Sequence, residues 1–553
     1  MGVSAALRAE ASRWAEGDPD PRTRAELDAL VTAAETDEEA LADLTDRFAG
    51  RLEFGTAGLR GEIAAGPNRM NRAVVIRAAA GLAAYLRSRG ARGRVVIGYD
   101  ARHQSDEFAR DTAAVMAGAG IEAVVLPHPM PTPVLAFAVG HLEASAGVMV
   151  TASHNPPRDN GYKVYLADGS QIVPPADAEI AGHIDAVPSA AGVPLGDAWR
   201  VVGGEVLDAY VAAVAALAQH GSPRELVVVY TPLHGVGDRT VHEVMRLAGF
   251  APPVVVPQQQ EPDPDFPTVS FPNPEEPGAI DLAMALASVR EADIVVANDP
   301  DADRCAVAVP TMHGWRMLRG DEVGALLGDH LVRRGYRGVF ATTIVSSSLL
   351  EAMAARHGLG YAETLTGFKW IGRVPHLTYG YEEALGYCVA PGLVRDKDGV
   401  SALLMVCELA AGLRAAGRTL LDRLDEIAVE YGVHATDQLS VRVDDVRQIT
   451  EVMRRLRANP PAMLGGYDVE EVDDLSEGSA SLPPTEGLRY RLASRGRVVV
   501  RPSGTEPKLK CYLEVVVPVD ESANESVGAA RIAAAGRLDA IRSDLAASAG
   551  IHP

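Results

Sequence analysis

A chain of 553 residues is several times longer than a typical domain, and 52 lysines and arginines against 74 aspartates and glutamates leave it at 52 − 74 = −22. That surplus argues against any general affinity for nucleic acid or anionic membrane, so an anionic ligand must be held by a local cluster of cations. The four cysteines, Cys305, Cys388, Cys407 and Cys511, are far apart and lack metal-ligand spacing, which disfavours a disulfide framework and fits a reducing cytoplasm.

The N-terminus has neither the basic start nor the apolar run of a signal peptide, and no later stretch is long enough for a transmembrane helix. The first fifty residues read as polar helices, with Thr36 and Glu39 spaced as a capping box ahead of Leu41, Leu44 and Phe48. Short β-branched runs then alternate with amphipathic stretches: 94–98, a helix near 106–118, 123–126, a helix near 134–142, and 147–150. This rhythm predicts a largely parallel sheet covered by helices. It recurs from 226–229 through 293–296, and again from 339–342 through the helix after Gly399. The runs at 438–441, 497–500 and 513–516 differ, with one clear helix between the first two, and predict an antiparallel sheet with flanking helices. The expected organisation is α/β: residues 1–204 as N-terminal helices and a first α/β domain, 205–319 and 320–434 as two more, and 435–553 as an α+β domain. Linkers are expected near 187–204, 310–320 and 430–437.

Ligands of open α/β sheets gather beyond the carboxyl ends of strands, which directs attention to four loops. Thr151-Ala152-Ser153-His154-Asn155-Pro156-Pro157 presents a serine on a proline-stiffened turn, although a Ser-His pair alone is most often an ordinary turn. Asn298-Asp299-Pro300-Asp301-Ala302-Asp303-Arg304 sets three carboxylates at alternate positions, a donor set suited to Mg²⁺. It is no EF-hand, since Arg304 and Pro310 stand where the glycine and glutamate would be. Gly380-Tyr381-Glu382-Glu383-Ala384-Leu385-Gly386 offers glutamates to sugar hydroxyls. Arg501-Pro502-Ser503-Gly504-Thr505-Glu506-Pro507, followed by Lys508 and Lys510, combines an arginine fork, hydroxyls and glycine N–H groups that match a phosphate dianion.

With these four loops in this order the sequence resembles the α-D-phosphohexomutase superfamily. The likeness runs from Glu53-Phe54-Gly55-Thr56-Ala57-Gly58-Leu59-Arg60-Gly61 to Tyr512, and FGTAGLRG, NRMN at 68–71 and DKDGVSA at 396–402 place it nearest the phosphoglucomutase type 2 and phosphopentomutase branch. The resemblance implies four domains around a central cleft. It makes Ser153 the phosphoserine and gives Mg²⁺ to Asp299, Asp301, Asp303 and the serine oxygen. Arg60, Lys163 and Arg304 would surround the transferring phosphoryl group, while Thr366, Gly367, Glu382 and Ala384 would lie along the sugar. Arg501, Ser503, Gly504, Thr505 and Lys510 would clamp the distal phosphate. Ala384 departs from the serine of many hexose-specific members, leaving hexose and pentose both open.

The implied reaction moves phosphate between the 1- and 6-positions of a hexose, glucose first, through phospho-Ser153 and a sugar bisphosphate that also serves as primer. Phosphomannomutase and phosphopentomutase specificities are the alternatives. His154 and Lys397 are the candidates for the base that takes the hydroxyl proton. The expected partner is a small-molecule sugar phosphate, with no nucleic acid and no membrane, the protein itself being a cytoplasmic monomer or homodimer. A metal-dependent phosphatase would leave the Ser153 and Arg501 loops unexplained, and a catalytically silent phosphosugar-binding protein would have no need of an intact Ser153 and acidic triad.

Overall fold

The computed structural model describes residues 2–55, 58–91, 93–443, 446–480, 482–502, 508–519 and 526–550. Its chain forms two compact units: residues 1–317 with 386–412, and residues 318–385 with 413–553.

The first unit begins with helices Ala5–Gly17, Pro21–Ala33 and Glu38–Arg47, which bury Ala11, Leu27, Ala34, Leu44 and Phe48 against Ala65. The third helix starts differently from the capping box expected at Thr36 and Glu39. Asp37 is the cap, its carboxylate accepting from the amides of Glu39 (2.8 Å) and Ala40 (3.4 Å). A charged acceptor at a helix N-terminus also gains from the helix dipole, so it outcompetes the threonine one residue earlier.

Two sheets follow. The first comprises β1 (Leu59–Glu62), β2 (Val95–Tyr99), β3 (Ala123–Val125), β4 (Ala146–Val150), β5 (Asp159–Leu166) and β6 (Arg200–Val201), in the order β1-β5-β4-β2-β3-β6. Strands β2, β3, β4 and β6 run parallel, whereas β5 is antiparallel to both β4 and β1. The second has β7 (Val228–Thr231), β8 (Val254–Val255), β9 (Ile294–Ala297), β10 (Ala306–Thr311) and β11 (Gly314–Met317), ordered β11-β10-β9-β7-β8, with β10 returning antiparallel to β9. In each sheet the antiparallel step has the same cause. Residues 151–158 and 298–305 are too few for the crossover a parallel return needs, so the chain doubles back. These two reversals are the serine loop and the acidic loop.

In the second unit β12 (Val339–Thr343), β13 (Gly360–Thr364) and β14 (Leu377–Glu382) are parallel in the order β13-β12-β14, and β15 (Gly386–Cys388) lies in the segment that rejoins the first unit. Strands β16 (Val433–Arg442), β17 (Met463–Leu464), β18 (Tyr467–Asp474), β19 (Leu488–Leu492), β20 (Arg497–Pro502) and β21 (Lys508–Val517) form the expected antiparallel sheet, ordered β16-β21-β20-β19-β18-β17. Helices Val446–Ala458 and Val527–Ala549 cover it, burying Met453, Leu456, Ile541 and Leu545 on Val498, Val500 and Leu513.

A polar knot joins the two sheets of this unit at the turn after β12. Glu514 of β21 accepts from the Ser347 hydroxyl (2.7 Å) and the Ser348 amide (2.8 Å) and pairs with Arg497 of β20 at 3.1 Å. Arg497 also donates to the Ser346 carbonyl and to Glu363 (3.0 Å). An apolar patch of Ile344, Val345, Leu365, Leu475, Leu482 and Val499 seals it, with Trp370 packed alongside.

Candidate active site

The serine loop starts where β4 ends. Its Ser153 is almost fully buried and sits at φ +53°, a backbone region that non-glycine residues occupy only when their surroundings compel it. The Ser153 amide donates to the Thr151 hydroxyl (2.9 Å), and Arg60 reaches the loop through the Asn155 side-chain oxygen (3.0 Å). The Ser153 hydroxyl donates to Asp299 Oδ2 at 2.8 Å, with His154 Nδ1 3.3 Å from the same oxygen.

Asp299, Asp301 and Asp303 are wholly buried, and each offers a carboxylate oxygen within 4.8 Å of the others. Three such charges repel one another strongly in a low-dielectric interior. Lys163, on β5, offsets part of the repulsion by donating to Asp301 Oδ2 (2.7 Å) and Asp303 Oδ2 (3.0 Å). Lys397 stands 3.3 Å from Asp303 Oδ2, and the Thr132 hydroxyl donates to Asp301 Oδ2 at 2.6 Å. The other oxygens of Asp301 and Asp303, both named Oδ1, are buried without a hydrogen bond. Three converging carboxylates, two of them with an unsatisfied hard oxygen, fit a divalent cation.

Titration follows the same logic. Burial and repulsion from Asp301 and Asp303 push Asp299 well above the usual carboxylate range. Burial also disfavours charge on Asp301, but Lys163 and Thr132 outweigh it and hold that carboxyl low. Burial works against the Lys163 cation too, and Asp301 with Asp303 more than restores it, leaving an ammonium. Burial, then the cations Arg304 and Arg60, drive His154 well below the ordinary imidazole value, so it is neutral at pH 7.

Arg304 lies at the rim of the triad, Nε 3.9 Å from Asp299 Oδ2 and Nη1 3.7 Å from Glu275. The segment bearing Lys397 is anchored on both sides. Asp396 accepts from Tyr165 (2.7 Å) and Gln171 (2.6 Å), and Asp398 from Tyr210 (2.8 Å). Gly399 lets that segment lie against the acidic loop, since a Cβ there would come within 2.2 Å of the Arg304 carbonyl oxygen.

The structure thus brings Arg60, Ser153, His154, Lys163, Asp299, Asp301, Asp303, Arg304 and Lys397 together. Thr366, Gly367, Glu382, Ala384, Arg501 and Lys510 belong to the second unit. Glu382 ends β14, and Gly367 (φ +104°) starts the short helix Phe368–Ile371. Arg501 and Lys510 are cross-strand neighbours on β20 and β21, a like-charge pair that an anion would relieve, and the buried Arg501 Nε has no hydrogen bond. Ser503, Gly504 and Thr505 lie outside the described residues. Sequence reasoning missed Thr132, Glu275, Asp100 and Arg102. The last two directly follow β2, so the strand-end rule that found the other loops could have found them.

Four family models match the chain in sequence: phosphoglucomutase/phosphomannomutase alpha/beta/alpha domains I, II and III at residues 51–190, 208–314 and 319–431, and the C-terminal domain at 439–529. This chain belongs to the phosphoglucomutase/phosphomannomutase family. A Haemophilus influenzae "probable phosphomannomutase" is 48% identical over 456 residues, covering 80% of this chain and 93% of that one. A human phosphopentomutase is 36% identical over 582 residues, covering 95% and 94%. The crystal structure of a Thermus thermophilus protein assigned as a phosphomannomutase superposes with a TM-score of 0.69 at 28% identity, covering 88% of this chain and 99% of that one. Family membership makes the protein a phosphosugar mutase, an isomerase-type intramolecular phosphotransferase acting on a small-molecule sugar phosphate. Among the described residues no single helix is long and apolar enough to cross a membrane.

Proposed function

We propose that the protein interconverts the 1- and 6-phosphates of a hexose, glucose first, by relaying phosphate through Ser153 with Mg²⁺ at Asp299, Asp301 and Asp303. The observation that carries this reading is the Ser153 hydroxyl 2.8 Å from Asp299, inside a buried triad with unsatisfied carboxylate oxygens. Mg²⁺ bound there would supply positive charge beside the transferring phosphoryl group.

The remaining steps are assigned to side chains. Arg60, Lys163 and Arg304 add fixed positive charge where the phosphoryl oxygens spread theirs, and Lys163 does so as an ammonium rather than as a base. His154 is neutral and within 3.3 Å of the serine oxygen, which favours it over Lys397 for moving the hydroxyl proton. Thr366, Gly367, Glu382 and Ala384 are assigned to the sugar. Arg501, Lys510 and the loop Ser503-Gly504-Thr505 are assigned to the non-reacting phosphate, which the two cations on adjacent strands would attract. A sugar bisphosphate primes the serine, and the reaction takes place in the cytoplasm by a monomer or homodimer.

A pentose substrate is the second reading, favoured by alanine at position 384 and by the end-to-end likeness to a phosphopentomutase. Coupled turnover of glucose 1-phosphate, mannose 1-phosphate and ribose 1-phosphate, primed with glucose 1,6-bisphosphate, ranks the sugars. Wild type should turn over one of them without net phosphate release, and Ser153→Ala should not. Undiminished turnover by Ser153→Ala would overturn the relay, and free phosphate as the main product would favour a phosphatase.

A further inference from the structure

Residue 153 holds a left-handed backbone without being glycine, so something outside the loop must enforce its shape. Arg102 is the group in position to do so. Arg102 is buried, and its guanidinium donates four hydrogen bonds into one stretch of backbone: Nη2 to the carbonyls of Ser153 (2.7 Å) and Asn155 (2.6 Å), Nη1 to those of Pro156 (2.8 Å) and Asp159 (3.1 Å). With the carbonyls of Ser153, Asn155, Pro156 and Asp159 turned onto a single cation, none of those peptides can rearrange without breaking a charge-assisted bond.

Arg102 is itself held from two sides. Asp100 Oδ2 lies 3.5 Å from its Nε, and Asp100 is fixed in turn by the Ser105 hydroxyl at 2.7 Å. The ring of Phe266 covers the guanidinium at 5.0 Å. Phe266 comes from the irregular connection between β8 and β9 of the second sheet, where the neighbouring Asp265 meets His103 at 2.7 Å. The serine loop of one sheet is therefore locked by an arginine whose open face is closed by the sheet that carries the acidic triad.

We propose that Arg102 is a positioning residue for phosphoryl transfer, holding the Ser153 oxygen in register with the triad, and that Phe266 keeps it in place. This rests on the mutase reading. Arg102 touches neither the Ser153 hydroxyl nor the triad, so its loss should slow transfer while leaving sugar binding alone. Arg102→Lys keeps the charge but cannot reach four carbonyls at once. It should lower kcat about 10²-fold, the scale of a misplacement near 1 Å, with KM for the sugar phosphate within twofold of wild type. Single-turnover transfer from glucose 1,6-bisphosphate to Ser153, followed by mass spectrometry of the Ser153 peptide, should slow by the same factor. Phe266→Leu should give a smaller loss of the same kind, and serves as the test if Arg102→Lys does not fold.

Unchanged kcat in the folded variant, or a loss expressed wholly as raised KM, would overturn the proposal. Turnover and Ser153 phosphorylation in the wild type are the control. If both are missing, the mutase reading fails and takes this proposal with it, whereas a normal wild type with an unaffected variant rejects the positioning role alone.

Discussion

Replacing Glu514 by glutamine isolates one charge in the knot between the two sheets of the second unit. The amide can still accept from Ser347 and Ser348, so the change removes charge more than shape. Two routes give its size. Burial opposes the Glu514 carboxylate, but Arg497 leads a set of partners that hold its pKa at about 2 against an ordinary 4.5. Lowering the carboxyl from 4.5 to about 2 corresponds to ~3 kcal/mol at neutral pH. Breaking a buried ion pair costs about 3–5 kcal/mol, and the low end applies because Arg497 keeps Glu363 at 3.0 Å. Both routes therefore give about 3 kcal/mol.

The sign follows from linkage. A depressed folded-state pKa contributes stability that is complete above about pH 4.5 and is lost as pH falls toward 2. Trp370 supplies the assay, because it is the one tryptophan of residues 318–385 and 413–553 and packs against this seam. In a background with Trp14, Trp199 and Trp315 changed to phenylalanine, urea unfolding followed by Trp370 fluorescence reports this unit. Glu514→Gln should lower stability by about 3 kcal/mol at pH 7.5, and by pH 3 the gap should fall below half that value. Equal stability at pH 7.5, or a gap that does not narrow in acid, would refute the reasoning.

Glu383 should behave oppositely. Burial, reinforced by Glu382 and Asp321, raises its carboxyl to about 7 from 4.5, so the second unit should lose up to about 3 kcal/mol as pH rises from 4.5 to 7 and stay level above; Glu383→Gln should flatten that slope in the Trp370 assay. Mg²⁺ added to chelator-treated protein should displace protons from the triad, since Asp299 is pushed well above the usual range; titration calorimetry in two buffers of unlike ionisation enthalpy would count them, and identical heats would refute it. Gly399→Ala should reduce turnover at least tenfold by pushing the Lys397 segment off the acidic loop, and normal kinetics would show that segment to be unimportant.

The serine, acidic and arginine loops were legible because each follows a buried apolar strand, and because all of them occur together in one chain, whereas any one alone reads as an ordinary turn. Ser153, the three aspartates and Lys163 could be named from that placement and the family likeness, and they do share one site. The reversal of β5 and β10 was less visible, because apolar runs carry no mark of direction; only the length of the intervening loop does. Thr36 and Glu39 have the spacing of a capping box, but spacing carries no sign of the charged acceptor Asp37 beside them, which caps the helix. Position after β2 could have marked Arg102 as a candidate, but its hold on the serine-loop carbonyls, like the Thr132 bond to Asp301, appears only once the chain is folded.

The sharing of residues 386–412 with the first unit bears on how this molecule can be made. Cutting the gene after Met317 would leave Tyr165, Gln171 and Tyr210 without the acceptors Asp396 and Asp398, and Asp303 without Lys397. The front half is therefore no autonomous fragment. During synthesis its chemistry must stay unfinished until residue 412 has cleared the ribosome, by which time β12, β13 and β14 have already emerged.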